Sequence, residues 1–185
     1  MINRFALTGG LFLTLATFAA FATYAALSGP AQAAAITSTS IKKKAKKGLS
    51  RGEIAAAAAL AQLGVSFSWG GGSAKGPTPG IGRGAGTKGF DCSGLTLYAW
   101  SQAGVALSHY TGAQFRQGRR VPLSARRTGD LLFFGGGPGD PTHVGLYLGS
   151  GLMIHAPKTG DVVKKTAFLR SPYFRAAFRG AVRPA

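Results

Sequence analysis

Val144, Leu146 and Leu148 alternate along one side of Gly149-Ser150-Gly151, and Leu152, Ile154 and Ala156 alternate along the other. Period-two alternation marks a strand with one buried face, and two such runs joined by a short glycine-containing loop read as a hairpin. Successive side chains in a strand point to opposite faces. All six apolar residues therefore share a face only if residues of equal parity pair across the hairpin. That register also assigns the opposite face, which carries His143, Gly145, Tyr147, Met153 and His155. A three-residue loop sets His155 opposite Gly145 and diagonal to His143, within side-chain reach. Gly145 leaves space above the sheet between them. The apolar pattern thus forces two histidines onto one face.

The only cysteine, Cys92, lies in Phe90-Asp91-Cys92-Ser93-Gly94-Leu95-Thr96-Leu97-Tyr98-Ala99-Trp100, directly after the glycine-rich run Gly70–Gly89. Helix formers and apolar residues follow it as far as Gly104, so a loop is expected to break into a helix with Cys92 in its first turn. A helix start favours nearby negative charge and is one setting that lowers a thiol pKa. A lone cysteine is more often a small buried hydrophobe. Beside two histidines it gains another reading, because a cysteine nucleophile needs a base, and the base needs a third group to fix its tautomer. Cys92, His143 and His155 are the right residue types for those three roles. A zinc site from the same residues is disfavoured, since none of the short ligand spacings occurs; no metal and no cofactor are expected. His109, in Leu107-Ser108-His109-Tyr110, falls outside this pattern and reads as a cleft or surface residue.

Elsewhere, Ser50 with Glu53 three residues on forms a capping-box pattern ahead of an alanine-rich helix, Glu53–Leu63, that stops at Gly64. A short extended piece, Val65–Trp69, leads into the glycine-rich run. Gly82-Arg83-Gly84-Ala85-Gly86 is superficially similar to a phosphate-binding loop, but Pro77 and Pro79 precede it and no strand–turn–helix unit surrounds it. The run is expected to be a mobile loop leading to Cys92. One helical turn is expected at Tyr110–Arg116, and strands at Gly129–Phe134, His143–Leu148, Leu152–His155, Val162–Lys164 and Tyr173–Val182. Helices first and sheet afterwards imply an α+β domain.

The N-terminus runs from Met1-Ile2-Asn3-Arg4 through an apolar stretch to Ser28-Gly29-Pro30 and Ala31-Gln32-Ala33. This is the pattern of a secretory signal peptide spanning 1–33, with an uncleaved anchor as the alternative. Residues 34–50, with Lys42, Lys43, Lys44, Lys46 and Lys47, read as a basic linker, and 51–185 as one domain. Formal net charge is +17, from 22 basic and 5 acidic residues. Such a balance implies polyanionic surroundings. For an exported protein these are anionic wall polymers or lipid head groups rather than nucleic acid. One cysteine excludes an internal disulfide and leaves either a dimer bridge or a reactive thiol; a monomer is expected.

From about Glu53 to Arg183 the chain resembles the NlpC-type cell-wall peptidases. The resemblance rests on Trp69-Gly70-Gly71, Phe90-Asp91-Cys92-Ser93-Gly94-Leu95, Gly129-Asp130-Leu131, His143-Val144-Gly145-Leu146-Tyr147-Leu148-Gly149 and Met153-Ile154-His155-Ala156-Pro157. It implies a compact papain-like fold with Cys92 as nucleophile, His143 as base and His155 as the polar residue that orients the base. It also implies a substrate, the peptide stems of bacterial peptidoglycan, often cut between D-glutamate and a diamino acid such as diaminopimelate. Phe67, Trp69, Asp91, Ser93, His109 and Tyr110 are the candidates for the substrate and oxyanion region. Two departures stand out. The family usually has a tyrosine two residues before the tryptophan, whose hydroxyl helps to hold the oxyanion, and this chain has Phe67. The run Gly72–Gly89 also looks longer than usual. The missing donor leaves Ser68, Tyr110 or an ordered water as substitutes. Phe67 favours one alternative, a catalytically weak or inactive wall-binding protein of the same fold; a second is an amidase or acyl-transfer enzyme with the same triad but different substrate pockets.

Overall fold

The computed structural model describes residues 48–184, so the expected signal peptide and the lysine run at 42–47 lie outside the described residues. Ser50 caps the first helix, Arg51–Leu60, in a reciprocal box: its hydroxyl accepts from the Glu53 amide at 3.3 Å, and the Glu53 carboxylate accepts from the Ser50 amide at 3.0 Å. The helix ends earlier than Gly64, and residues 61–64 form turns. Its buried face is Ala55, Ala56 and Ala59. Such small side chains allow close approach to the second helix, Cys92–Gln102, which begins at the cysteine as the sequence implied.

Both helices cover one face of a six-stranded antiparallel sheet, giving an α+β domain. Its strands are β3 (Arg119–Val121), β4 (Leu131–Phe134), β5 (His143–Gly149), β6 (Leu152–His155), β7 (Lys164–Ala167) and β8 (Phe178–Arg183), in the spatial order β3-β8-β4-β5-β6-β7. Leu131, Phe133, Val144, Leu146, Ile154, Ala156 and Val182 meet Ala55, Ala59, Leu95 and Trp100 in the main core. The Trp100 indole donates to the Gly129 carbonyl at 3.1 Å, which fastens the second helix to the start of β4.

The hairpin pairs Leu146 with Ile154 and Tyr147 with Met153, the expected parity. A bulge then sets Gly149, not Leu148, opposite Leu152. Gly149, Ser150 and Gly151 all adopt positive φ in this turn. The slip turns Leu152 outward, 36% exposed, so it does not share the buried face as the simple alternation required.

The histidine-bearing face is not open either. Leu132, Phe134, Tyr147, Met153 and Ala181 form a second core with Phe168, closed by Phe174 and Phe178. The space expected above Gly145 is filled: a Cβ there would lie 2.7 Å from Met153 Sδ. The cover exists because the expected strand Tyr173–Val182 is two elements. Ser171 accepts from the Phe174 amide and Pro172 occupies the first turn of a short helix, Pro172–Ala176, before β8 begins. That Ser-Pro pair is a legible helix start. The expected strand Val162–Lys164 also shifts, with β7 starting at Lys164 and Val162 making only an isolated bridge to Ser66.

The glycine-rich run is tied down where a mobile loop was expected. The strands β1 (Thr78–Pro79) and β2 (Lys88–Gly89) pair within it, and the buried Ser68 hydroxyl donates to the carbonyls of Gly84 and Thr87 at 3.1 and 2.7 Å. Gly84 packs so tightly that a Cβ would lie 2.5 Å from the Trp69 carbonyl oxygen.

Candidate active site

Asp91 organises the start of the Cys92 helix. Its Oδ1 accepts from the Gly94 amide at 2.6 Å, the Ser93 hydroxyl at 3.0 Å and His109 Nε2 at 3.1 Å, while Oδ2 accepts from the Gly70 amide at 2.9 Å. Burial alone would raise the Asp91 pKa, but these partners, His109 foremost, leave it below the usual carboxylate range. The same hydrogen bond raises the pKa of His109 against the opposing effect of burial. His109, Ser93 and Asp91 therefore form one cap network, with His109 on the wall of a cleft of about 530 Å³ beside Leu97 and Leu107.

Cys92 is the first residue of that helix, with Sγ 3.8 Å from the Thr111 hydroxyl. Burial, followed by the negative charge of Asp91, pushes its thiol pKa up to about 11; the backbone N–H of Val144, the Thr111 hydroxyl and the Ser93 amide pull weakly the other way. The resting group is a neutral thiol. A helix start alone pointed to a more acidic one, and it is outweighed here by burial and by its own capping carboxylate.

His143 opens β5, next in sequence to Val144, whose amide faces the thiol. Its Nε2 lies 2.8 Å from His155 Nδ1, and His155 Nε2 lies 2.9 Å from the Thr166 hydroxyl. The two rings meet edge to face, and the Phe174 ring packs against both. Burial lowers the His143 pKa to about 4, partly offset by Asp91. Burial, then the charges of His143 and Lys164, lowers His155 to about 3. Both imidazoles are neutral at ordinary pH. The structure brings His143 and His155 into direct contact, but no hydrogen bond joins Cys92 to His143 among the described residues.

Phe67 is 7% exposed and belongs to the main core, although it also lines a cleft of about 290 Å³ together with Trp69 and Asp161. Trp69 is 51% exposed and lies beneath the Arg83 guanidinium, 5.7 Å from the ring centroid. Of the substitutes named for the missing tyrosine, both side chains are committed elsewhere. Ser68 is committed to the glycine-rich loop, and the Tyr110 hydroxyl donates to Asp140 at 3.0 Å, which Arg116 also holds.

Sequence reasoning missed three polar residues here. Gln114 is fully buried and donates to the carbonyls of Ser93 and Ser108 at 2.9 and 2.7 Å while accepting from the Thr96 hydroxyl at 2.7 Å. Thr111 faces the thiol, and Thr166 ends the histidine chain. None carries a sequence signal, and Thr166 falls in a strand whose position was misread. Among the described residues, no three histidine, cysteine or acidic side chains cluster so as to hold a metal ion.

The family model for NlpC/P60 matches residues 64–183. The chain is 52% identical over 105 residues to the peptidoglycan endopeptidase RipA of Mycolicibacterium smegmatis, covering 57% of this chain and 21% of that protein. It is 50% identical over 95 residues to the peptidoglycan endopeptidase RipB of Mycobacterium tuberculosis, covering 51% and 39%. The chain thus spans about a fifth to two-fifths of the length of these curated relatives. The solved structure of the peptidoglycan hydrolase RipB from Mycobacterium tuberculosis superposes with a TM-score of 0.64 at 38% identity, over 85% of this chain and 72% of that one. RipD of the same organism, a non-catalytic NlpC/p60 domain protein adapted to peptidoglycan binding, superposes with a TM-score of 0.63 at 37% identity, over 74% and 98%.

Proposed function

The chain belongs to the NlpC/P60 family, and from that premise we propose that it is a secreted cysteine endopeptidase of peptidoglycan stem peptides. The observation that carries the catalytic part is the hydrogen-bonded pair His143–His155, which begins one residue from the amide facing the Cys92 thiol. With the thiol near 11 and His143 near 4, the resting pair is uncharged. Proton transfer from Cys92 Sγ to His143 Nδ1 therefore accompanies attack on the scissile carbonyl carbon. The carbonyl oxygen becomes an oxyanion, and the Cys92 backbone N–H at the helix start is its donor. His143 then returns the proton to the departing amine as the C–N bond breaks, leaving a thioester on Cys92. Water, deprotonated by His143, hydrolyses the thioester and restores the thiol. His155 orients His143 and shares the transient positive charge.

The choice of a D-glutamyl–diamino acid bond rests on the family resemblance alone. Retention on anionic wall polymers is supported by the charge distribution. All five acidic residues of the chain have partners, Glu53 in its capping box and Asp91, Asp130, Asp140 and Asp161 with basic side chains, against 22 lysines and arginines in the sequence.

A non-catalytic binding role is the second reading, favoured by Phe67 and by the raised thiol pKa. Purified peptidoglycan digested with the wild type and with Cys92→Ala, with new ends identified by mass spectrometry, separates the two. New peptide ends from the wild type, lost by several orders of magnitude in rate in the variant, support the endopeptidase. Co-sedimentation of both proteins with peptidoglycan and no new ends establishes the binding role; freed amines at the sugar–peptide junction establish an amidase.

A further inference from the structure

We propose that Thr166 is a positioning residue for the histidine pair: its hydroxyl oxygen is the terminal acceptor of the arrangement in which His143 presents a bare nitrogen to Cys92, and it supports that arrangement when His143 takes the proton; the catalytic half of this inference rests on the endopeptidase reading. On β7, Lys164 lies directly opposite His155, and Thr166, two residues further on, shares its face as the diagonal neighbour. That places its hydroxyl 2.9 Å from His155 Nε2. The Lys164 ammonium turns away to Asp161, at 2.6 Å, so Thr166 is what satisfies the far nitrogen of the buried His155 ring.

Each neutral imidazole carries a single N–H, so the chain has two possible arrangements. In the first, His143 Nε2–H donates to His155 Nδ1, and His155 Nε2–H donates to the Thr166 oxygen. His143 Nδ1 is then a bare lone pair able to take the thiol proton. In the second, every bond is reversed, the proton sits on His143 Nδ1, and Cys92 has no base. A threonine hydroxyl can satisfy either arrangement at rest. Once His143 has taken the proton, however, both its nitrogens carry hydrogen, and only the first arrangement is possible. The Thr166 oxygen therefore contributes most when the imidazolium exists, as the last acceptor in a charge-assisted chain. The charged and titratable groups around the pair are Lys164 opposite His155, Asp161 on Lys164, and Asp91 on the Cys92 side of His143. The ring packed over both histidines, Phe174, does not titrate. Substitution of Thr166 leaves all of these in place.

The test uses the full chain with Thr166→Val and Thr166→Ser. Valine is nearly isosteric, β-branched and a strong strand former, so it removes the oxygen while keeping β7. Histidine-ring nitrogen NMR reads the tautomers directly, and kcat and KM are measured across pH on a soluble stem peptide. The expected wild-type spectrum has His155 protonated on Nε2 and His143 bare on Nδ1. Thr166→Val is expected to lower kcat by about tenfold to a hundredfold, the effect of an unpartnered buried N–H, with KM unchanged. The acid limb of its profile should move to lower pH, since the imidazolium has lost support, and Thr166→Ser should recover both. A valine variant with wild-type kcat overturns the proposal. So does a wild-type spectrum with the His155 proton on Nδ1, which decides the matter even if the valine variant does not fold. If the wild type cleaves no stem peptide, the endopeptidase reading fails, and the ring spectra still decide the role of Thr166: a His155 signal changed in the valine variant and restored in the serine variant supports it, and a valine spectrum identical to wild type overturns it.

Discussion

Replacing Asp91 by asparagine should weaken the fold and make the Cys92 thiol more acidic. The two effects have different origins. Asp91 accepts four hydrogen bonds, three on Oδ1 and one on Oδ2 from the Gly70 amide. Asparagine has one acceptor oxygen. If that oxygen stays on Gly94 and keeps the helix cap, its NH2 faces the Gly70 N–H, donor against donor. One buried amide left without a partner costs about 1–3 kcal/mol, and a compromised cap costs a similar amount if the side chain turns the other way. For a domain of this size that is a fall in Tm of roughly 4–10 °C. The thiol moves oppositely, because the carboxylate charge is the second cause holding it near 11. Burial, the larger cause, remains, so the value should fall yet stay above that of an ordinary thiol. His109 loses the negative charge that helps to raise its own pKa, and its titration should move down. Iodoacetamide alkylation followed by mass spectrometry across pH reads the thiol, and urea unfolding reads the fold. An alkylation midpoint that stays put or rises in a folded Asp91→Asn protein would refute the electrostatic account.

Phe67→Tyr should raise kcat on a stem peptide with little change in KM, because both side chains that could have replaced the missing hydroxyl are committed to Gly84, Thr87 and Asp140. One oxyanion donor is worth about a hundredfold to a thousandfold, and an unchanged kcat would mean that the hole is already filled. Wild-type stability should fall with acid. The histidine pair is depressed in the fold, so its contribution is complete above the unfolded value of 6.5 and is lost as pH drops through about 4 and then about 3. Urea midpoints that stay flat between pH 7 and pH 4 would contradict the burial of the pair.

The elements legible in the sequence are those whose cause is local. The Ser50–Glu53 box, the helix beginning at Cys92 and the equal-parity pairing of Leu146 with Ile154 follow from caps and alternation that operate over a few residues. These were enough to put His143 and His155 on one face and a cysteine at a helix start. What that face meets was decided by chain closure. The segment 168–178 folds over the histidines, and burial there lowers their pKa values. The thiol pKa was settled in the same way, by a carboxylate and a burial that outweigh the helix terminus. Thr111, Gln114 and Thr166 were invisible because each gains its role from a partner at least eleven residues away. Periodicity records which way a side chain points; only the packed chain determines what stands there to receive it, and burial and hydrogen bonding depend on that.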